Sequence, residues 1–154
     1  MDNYKIKLLF DIAKDSLHES GCLRRQYSAV ICGDDGLVVG MGTNKSPRGI
    51  EDCNKKPKYD CIRISKNVKH GTCYEICAAV HAEQNAIICA GNKCEKGSLF
   101  LVGMENEELI DARPCNLCLR LIIQSGIEKI YCLNKDNSYH VIECDKITFE
   151  DIVK

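Results

Sequence analysis

Two short pieces of sequence carry residues whose types and spacing can do chemistry: His81-Ala82-Glu83, and Pro114-Cys115-Asn116-Leu117-Cys118. Cysteines three apart at a helix start can aim both thiolates at one ion. The exposed N–H groups and the dipole of a helix start favour negative sulfur there. One histidine and two cysteines give zinc three protein ligands and leave its fourth position to water, the arrangement of a catalytic site. Glu83 need not bind the metal. Two residues from His81, its carboxylate can reach the water and later the leaving group, and zinc lowers the pKa of that water toward ~7. A lone C-x-x-C is more often structural zinc or redox, and a lone H-x-E is common by chance. Together and in this order, each on a predicted helix, they point to a catalytic zinc held by His81, Cys115 and Cys118, with Glu83 as proton shuttle.

These residues need a frame. Apolar residues at helical spacing predict a first helix over 4–17, and residues 28–32 and 36–40 read as strand–turn–strand around Gly33-Asp34-Asp35-Gly36. Residues 74–90 read as one long helix ended by Gly91-Asn92, with His81 and Glu83 inside it. A strand over 98–102 follows, then a helix opened by Pro114 and running over 115–125 to Gly126. Two more strands over 128–133 and 139–143 and a short closing helix over 148–153 complete the series. Strands alternating with helices imply an α/β fold, a mixed sheet covered on both faces, in a single domain over 1–154.

The 154 residues, 45% hydrophobic and 28% charged, suit one soluble globular domain with its own core. A net charge of −1 provides no global field to gather a polyanion, and no strip of aromatic and basic residues suits a polynucleotide channel. No apolar run reaches the ~18 residues of a membrane span and no signal peptide is read, so the expected location is cytoplasmic. Twelve cysteines in such a chain read better as reduced thiols, some on metal and some buried, than as a disulfide scaffold. Cys32, Cys89 and Cys132 lie in apolar runs, where cysteine acts as a small hydrophobe.

The H-x-E then P-C-x-x-C signature is that of zinc deaminases, and around it the chain resembles the cytidine and deoxycytidylate deaminase superfamily, in its dCMP deaminase branch. The resemblance runs from about residue 28 to 133. It includes Gly42-Thr43-Asn44-Lys45-Ser46-Pro47-Arg48-Gly49, similar to the branch's G-Y-N-G-x-P-x-G loop. It also includes the helix Ala79-Val80-His81-Ala82-Glu83-Gln84-Asn85-Ala86-Ile87, and residues 121–127 after the second cysteine. It implies a three-layer α/β/α fold with a five-stranded mixed sheet between helices. The implied reaction is hydrolysis of a cytosine ring at carbon 4, dCMP to dUMP with release of ammonia. It further implies that Asn44 bonds the sugar hydroxyl, that Ala82 and the Ala112–Arg113 segment flank the ring, and that Tyr131 or Tyr139 covers it. A homo-oligomer is expected by analogy. Thr43 departs from the branch's usual Tyr, in a loop linked with triphosphate regulation. Arg113 replaces a Tyr or Thr and either meets a phosphate or is simply solvated.

Residues 41–72 show little periodicity and form an unusually long loop unless something orders it. Cys53, Cys61, Cys73, Cys77 and His70 are candidate ligands for a second, structural zinc, which would offset that loop's chain entropy. The basic residues 55–69 and Arg48 could draw in a nucleotide phosphate. Two alternatives stay open: a deaminase of another cytosine nucleoside or aminated heterocycle, and a non-catalytic zinc-binding module, for which Glu83 would have no use.

Overall fold

The first helix, α1 (Asn3–Asp15), places Ile6, Leu9, Phe10 and Ala13 on one buried stripe, the spacing of three and four that a 3.6-residue period requires. Asp2 caps it, its carboxylate accepting from the Lys5 amide at 2.8 Å. A computed structural model describes residues 1–56, 58–69 and 71–153 of the chain. After α1 come β1 (Arg25–Cys32), β2 (Val38–Thr43), α2 (Ile62–Ser65), α3 (Ala82–Ala90), β3 (Ser98–Glu105) and β4 (Glu108–Ile110). The series ends with α4 (Asn116–Gln124), β5 (Lys129–Leu133), β6 (Tyr139–Glu143) and α5 (Phe149–Ile152).

Five strands run across the sheet in the order β2-β1-β3-β5-β6, with β4 pairing off that path onto the end of β3. The β3–β5 pairing is parallel and the others antiparallel, so the sheet is mixed as expected. The short β4, which no periodicity announces, makes six strands in all.

Alternation along the central strands divides the core into two layers. Val30, Cys32, Phe100, Val102 and Tyr131 face α1. Ala29, Ile31, Leu99, Leu101, Ile130 and Cys132 face the other way, toward Ala86 and Ala90 of α3 and Leu119 and Ile122 of α4. Helices thus cover both faces of the sheet, in three layers.

The packing of α3 onto β2 depends on two glycines. A Cβ added at Gly42 would fall 2.6 Å from the Ala82 carbonyl oxygen and 2.7 Å from the Asn85 carbonyl carbon, nearer still to the Ala86 amide. One at Gly40 would fall 2.6 Å from the Ala90 Cβ. Bare backbone is therefore what lets α3 lie this close to the sheet. Of the three cysteines read as small hydrophobes, Cys32 and Cys132 are buried, whereas Cys89 lies on the solvent face of α3. Among the described residues no helix is long and apolar enough to cross a membrane.

Candidate active site

His81 is not inside a long helix. Residues 74–76 form a 3-10 turn, and the chain then runs extended until α3 begins, leaving His81 as the residue that caps α3. The cause is a tertiary pairing. Val80 and Lys45 exchange backbone hydrogen bonds, Val80 N to Lys45 O at 2.9 Å and Lys45 N to Val80 O at 3.2 Å. That bridge outweighs the helical propensity of Ala78 and Ala79. The His81 amide donates to Gln84 Oε1 at 2.9 Å, tying the cap to the first turn. Cys115 likewise caps α4, directly after Pro114, and its carbonyl accepts from the Leu119 amide at 2.8 Å.

The two helix starts converge. Nδ1 of His81 lies 3.5 Å from Sγ of Cys115 and 3.3 Å from Sγ of Cys118. Among the described residues these three form the one set of candidate ligands whose donor atoms all lie within 4.8 Å of one another. A borderline nitrogen and two sulfurs at that spacing fit zinc, which takes thiolate and imidazole at ~2.0–2.3 Å. The charge states fit as well. The hydrogen bond from Cys118 pulls the Cys115 thiol down to about 4, helped by His81, so one thiolate stands ready. Cys118, which holds the shared proton and is buried, is pushed up. A second hydrogen bond, which the Cys115 thiolate accepts from the ring, raises the imidazole of His81.

Glu83 is the second residue of α3, only 5% exposed, and burial raises its carboxyl above the ordinary range. A carboxyl poised to take and return protons is what such burial produces. Glu83, His81 and Cys115 open onto a cavity of about 670 Å³, with Ala82, Asn44 and Arg113 also in its walls. Asn44 is buried and mostly committed. Its Oδ1 accepts from Ser20 Oγ at 2.7 Å and the Tyr27 amide at 2.8 Å, while Nδ2 donates to the Arg25 carbonyl at 2.8 Å. An amide nitrogen has two hydrogens, so among the described residues one donor is left. Arg113 and Arg120 stand exposed at the rim.

Other predicted residues lie elsewhere. Tyr131 and Tyr139 are on the α1 side of the sheet: Tyr131 stacks on Phe100 at 4.6 Å between ring centroids, and Tyr139 leans on Phe10 at 5.7 Å. They do not cover the cavity. The aromatic rings that do line it, Tyr27 and Tyr74, were not anticipated. Burial pushes the Tyr74 hydroxyl up to about 12, with the Cys115 thiolate adding to it. Ala112 is fully buried, its amide bonded to Leu133 O at 2.9 Å, and Arg48 is exposed away from the cavity walls.

Of the second set of candidate ligands, Cys61 and Cys77 lie close enough to Cys53 for their sulfurs to bear on its thiol. The Cys53 thiol is raised by burial and then by the sulfurs of Cys77, Cys22 and Cys61. Cys22, from the segment before β1, joins the group through a backbone bond from the Asn54 amide to Gly21 O at 3.2 Å. Cys73 is exposed, with a left-handed backbone (φ 49°). His70 lies outside the described residues. None of the twelve cysteines forms a disulfide.

A family model described as "Cytidine and deoxycytidylate deaminase zinc-binding region" matches residues 3–134. Deoxycytidylate deaminase of Mycobacterium phage D29 is 32% identical over 123 residues, covering 77% of this chain and 86% of the phage protein. Deoxycytidylate deaminase of Schizosaccharomyces pombe is 28% identical over 120 residues, covering 78% of this chain, which spans only 34% of the yeast protein's length. The solved structure of dCMP deaminase from cyanophage S-TIM5 in complex with dCMP and dUMP superposes with a TM-score of 0.61. It is 20% identical and covers 84% of this chain and 81% of the phage chain, a likeness of fold.

Proposed function

The chain belongs to the cytidine and deoxycytidylate deaminase family, and on that footing we propose that it hydrolyses dCMP to dUMP and ammonia. The observation that carries this reading is the buried carboxyl of Glu83 beside the three-donor set of His81, Cys115 and Cys118, at a cavity that Glu83, His81 and Cys115 line. His81, Cys115 and Cys118 hold zinc, which when bound supplies the Lewis acidity that makes water a nucleophile near neutral pH. Glu83 takes one proton from the water and passes it to ring nitrogen N3. It then carries the second from the new hydroxyl on carbon 4 to the departing amino nitrogen, so it finishes the cycle in its starting state. Ala82 presents backbone beside the ring, and the spare Nδ2 hydrogen of Asn44 reaches a sugar hydroxyl. Arg113, joined at the rim by Arg120, takes the phosphate.

Ammonia release measured side by side on dCMP, dCTP, deoxycytidine and cytosine tests this. The reading requires dCMP to lead the panel. A protein that deaminates deoxycytidine as well as dCMP has no working phosphate contact, and one inert on all four is a binding module.

A second zinc on Cys22, Cys53, Cys61 and Cys77 is part of the same proposal, with Cys22 in place of Cys73. Its sulfurs must draw closer than the described positions to share an ion. Two zinc ions per chain by metal analysis supports it, and one sinks it. A cytoplasmic homo-oligomer completes the reading: twelve free thiols suit a reducing compartment, and sedimentation of the pure protein reads the assembly.

A further inference from the structure

His81 leaves a question open. Metal-bound histidines commonly fix their ring by donating the second nitrogen to a carboxylate or carbonyl oxygen. Nδ1 of His81 faces the two sulfurs, and among the described residues no oxygen acceptor receives Nε2. The capping box brings the Gln84 backbone amide to the same side chain, and the plane of the imidazole has one further support.

The ring of Tyr74 meets it edge to face, with centroids 4.7 Å apart and planes at 77°. Tyr74 is in turn covered by Arg63, whose guanidinium carbon lies 4.9 Å from the ring centroid. Arg63 is a charged residue only 8% exposed, and no carboxylate pairs with it among the described residues. It spends its hydrogens on three backbone carbonyls instead: Cys73 at 2.7 Å from Nη1, and Thr72 at 2.6 Å and Lys69 at 3.2 Å from Nη2. The planar fork of arginine suits this convergence, and a lysine ammonium cannot reproduce both the fork and the stacked plane. One of those carbonyls belongs to Cys73, held in the left-handed region at φ 49° and ψ 49°. A non-glycine residue adopts that conformation only where its surroundings over-determine it, and the next residue is Tyr74. The turn that Arg63 pins is therefore the turn that aims Tyr74 at His81.

We propose that Arg63 and Tyr74 are positioning residues for the zinc histidine, Arg63 fixing the turn at Thr72 and Cys73 and the Tyr74 ring, and that ring fixing the orientation of His81. The inference rests on the reading of His81, Cys115 and Cys118 as the metal's ligands. Neither residue donates to the metal or transfers a proton in the reaction. Their effect is on ligand geometry, which is present before any substrate arrives.

The test uses the full chain loaded with Co²⁺, whose visible absorption reports the ligand field. It adds zinc competition against a chelating indicator, circular dichroism to check folding, and kcat and KM on dCMP. Tyr74→Phe keeps the ring and is expected to keep the cobalt spectrum and metal affinity. Tyr74→Leu removes it, and should shift the spectrum of the substrate-free protein, weaken metal binding about 10- to 100-fold, and lower kcat with KM little changed. Arg63→Lys should move the same readouts in the same direction. A Tyr74→Leu protein with the parent's cobalt spectrum and only a raised KM would make Tyr74 a substrate contact and overturn the inference. Damage from Tyr74→Phe equal to that from Tyr74→Leu would place the effect in the hydroxyl and also overturn it. A parent protein that takes up no cobalt overturns the ligand reading itself, an outcome seen before any variant is compared.

Discussion

Nδ1 of His81 stands 3.5 Å from Sγ of Cys115, and each of these two residues is the cap of a helix, His81 of α3 and Cys115 of α4. Two helix starts aimed at one point bring unpaired amide donors and the positive ends of two dipoles to the place where thiolate must be stable. Cys118, one turn into α4 and fully buried, completes the set at 3.3 Å from the same nitrogen.

Glu83 is the group whose loss should separate chemistry from metal binding. Glu83→Gln keeps the shape of the side chain and removes its ability to carry a proton. Turnover is expected to fall about 10²- to 10⁴-fold while zinc content stays that of the parent. Ammonia release and metal analysis on the same preparation read both, and an active Glu83→Gln protein would end the proton-shuttle role.

Zinc uptake should release protons in a pH-dependent number. In the metal-free protein Cys115, at about 4, is already a thiolate at neutral pH, whereas Cys118 is raised and keeps its proton. His81 is raised too, so it is protonated below its shifted pKa and neutral above it. Ligands must be deprotonated to bind, so below that pKa the metal displaces about two protons, from His81 and Cys118, and at alkaline pH about one. Affinity accordingly rises with pH. Calorimetry in buffers of different ionisation enthalpy counts the protons, and a pH-independent count contradicts these charge states.

Thiol labelling should sort the cysteines by environment. With zinc present, Cys73 and Cys89, both exposed, should react first with iodoacetamide at pH 8. Burial raises Cys132 to about 12 and Cys144 to about 11, so their thiolate fraction there is small and they should stay unlabelled in the folded protein. Cys115 should label at pH 6 in the metal-free protein and be protected by added zinc. Mass spectrometry of the adducts assigns each site.

Phe100 tests stability apart from catalysis. It is fully buried between Tyr131, stacked at 4.6 Å, and Phe10, edge-on at 5.3 Å, on the face of the sheet away from His81. Phe100→Ala should cost about 3–5 kcal/mol and lower Tm by roughly 10 °C. Turnover measured well below the transition should be little changed. A loss of activity with no loss of Tm would mean that the two faces are coupled.

Gly42→Ala should do the reverse. Its methyl would meet the backbone of α3 at Ala82, Asn85 and Ala86, and overpacking against backbone costs about 1–3 kcal/mol. Because α3 carries Ala82 and Glu83, activity should fall further than Tm alone implies. Thermal melts and zinc content of the variant distinguish this from simple unfolding.

The chain's local periodicities were largely legible. The stripe Ile6, Leu9, Phe10, Ala13 announces α1, and Pro114 with Gly126 brackets α4, because those signals lie within a few turns of one element. The residues 77–80 misled, since their local preference is helical and a backbone pairing with Lys45 decides otherwise. The second cysteine cluster was legible in part. Cys53, Cys61 and Cys77 lie in one stretch, but Cys22 is far away in sequence and comes to them only when residues 21 and 54 bond.

The candidate ligands His81, Cys115 and Cys118 could be picked out by residue type and spacing, because C-x-x-C at a helix start and H-x-E are short-range patterns, and the packing of α3 beside α4 then brings their donor atoms within 4.8 Å of one another. Which aromatic rings meet the cavity could not be picked out that way. Tyr131 lies on a strand whose neighbours Ile130 and Cys132 point toward α3 and α4, so the alternation of side chains sends its ring to α1. Tyr74 reaches the site through a left-handed turn at Cys73 that Arg63 holds from ten residues away. Side-chain direction at these positions follows from which surface each element buries, and burial is settled only when the whole chain has packed.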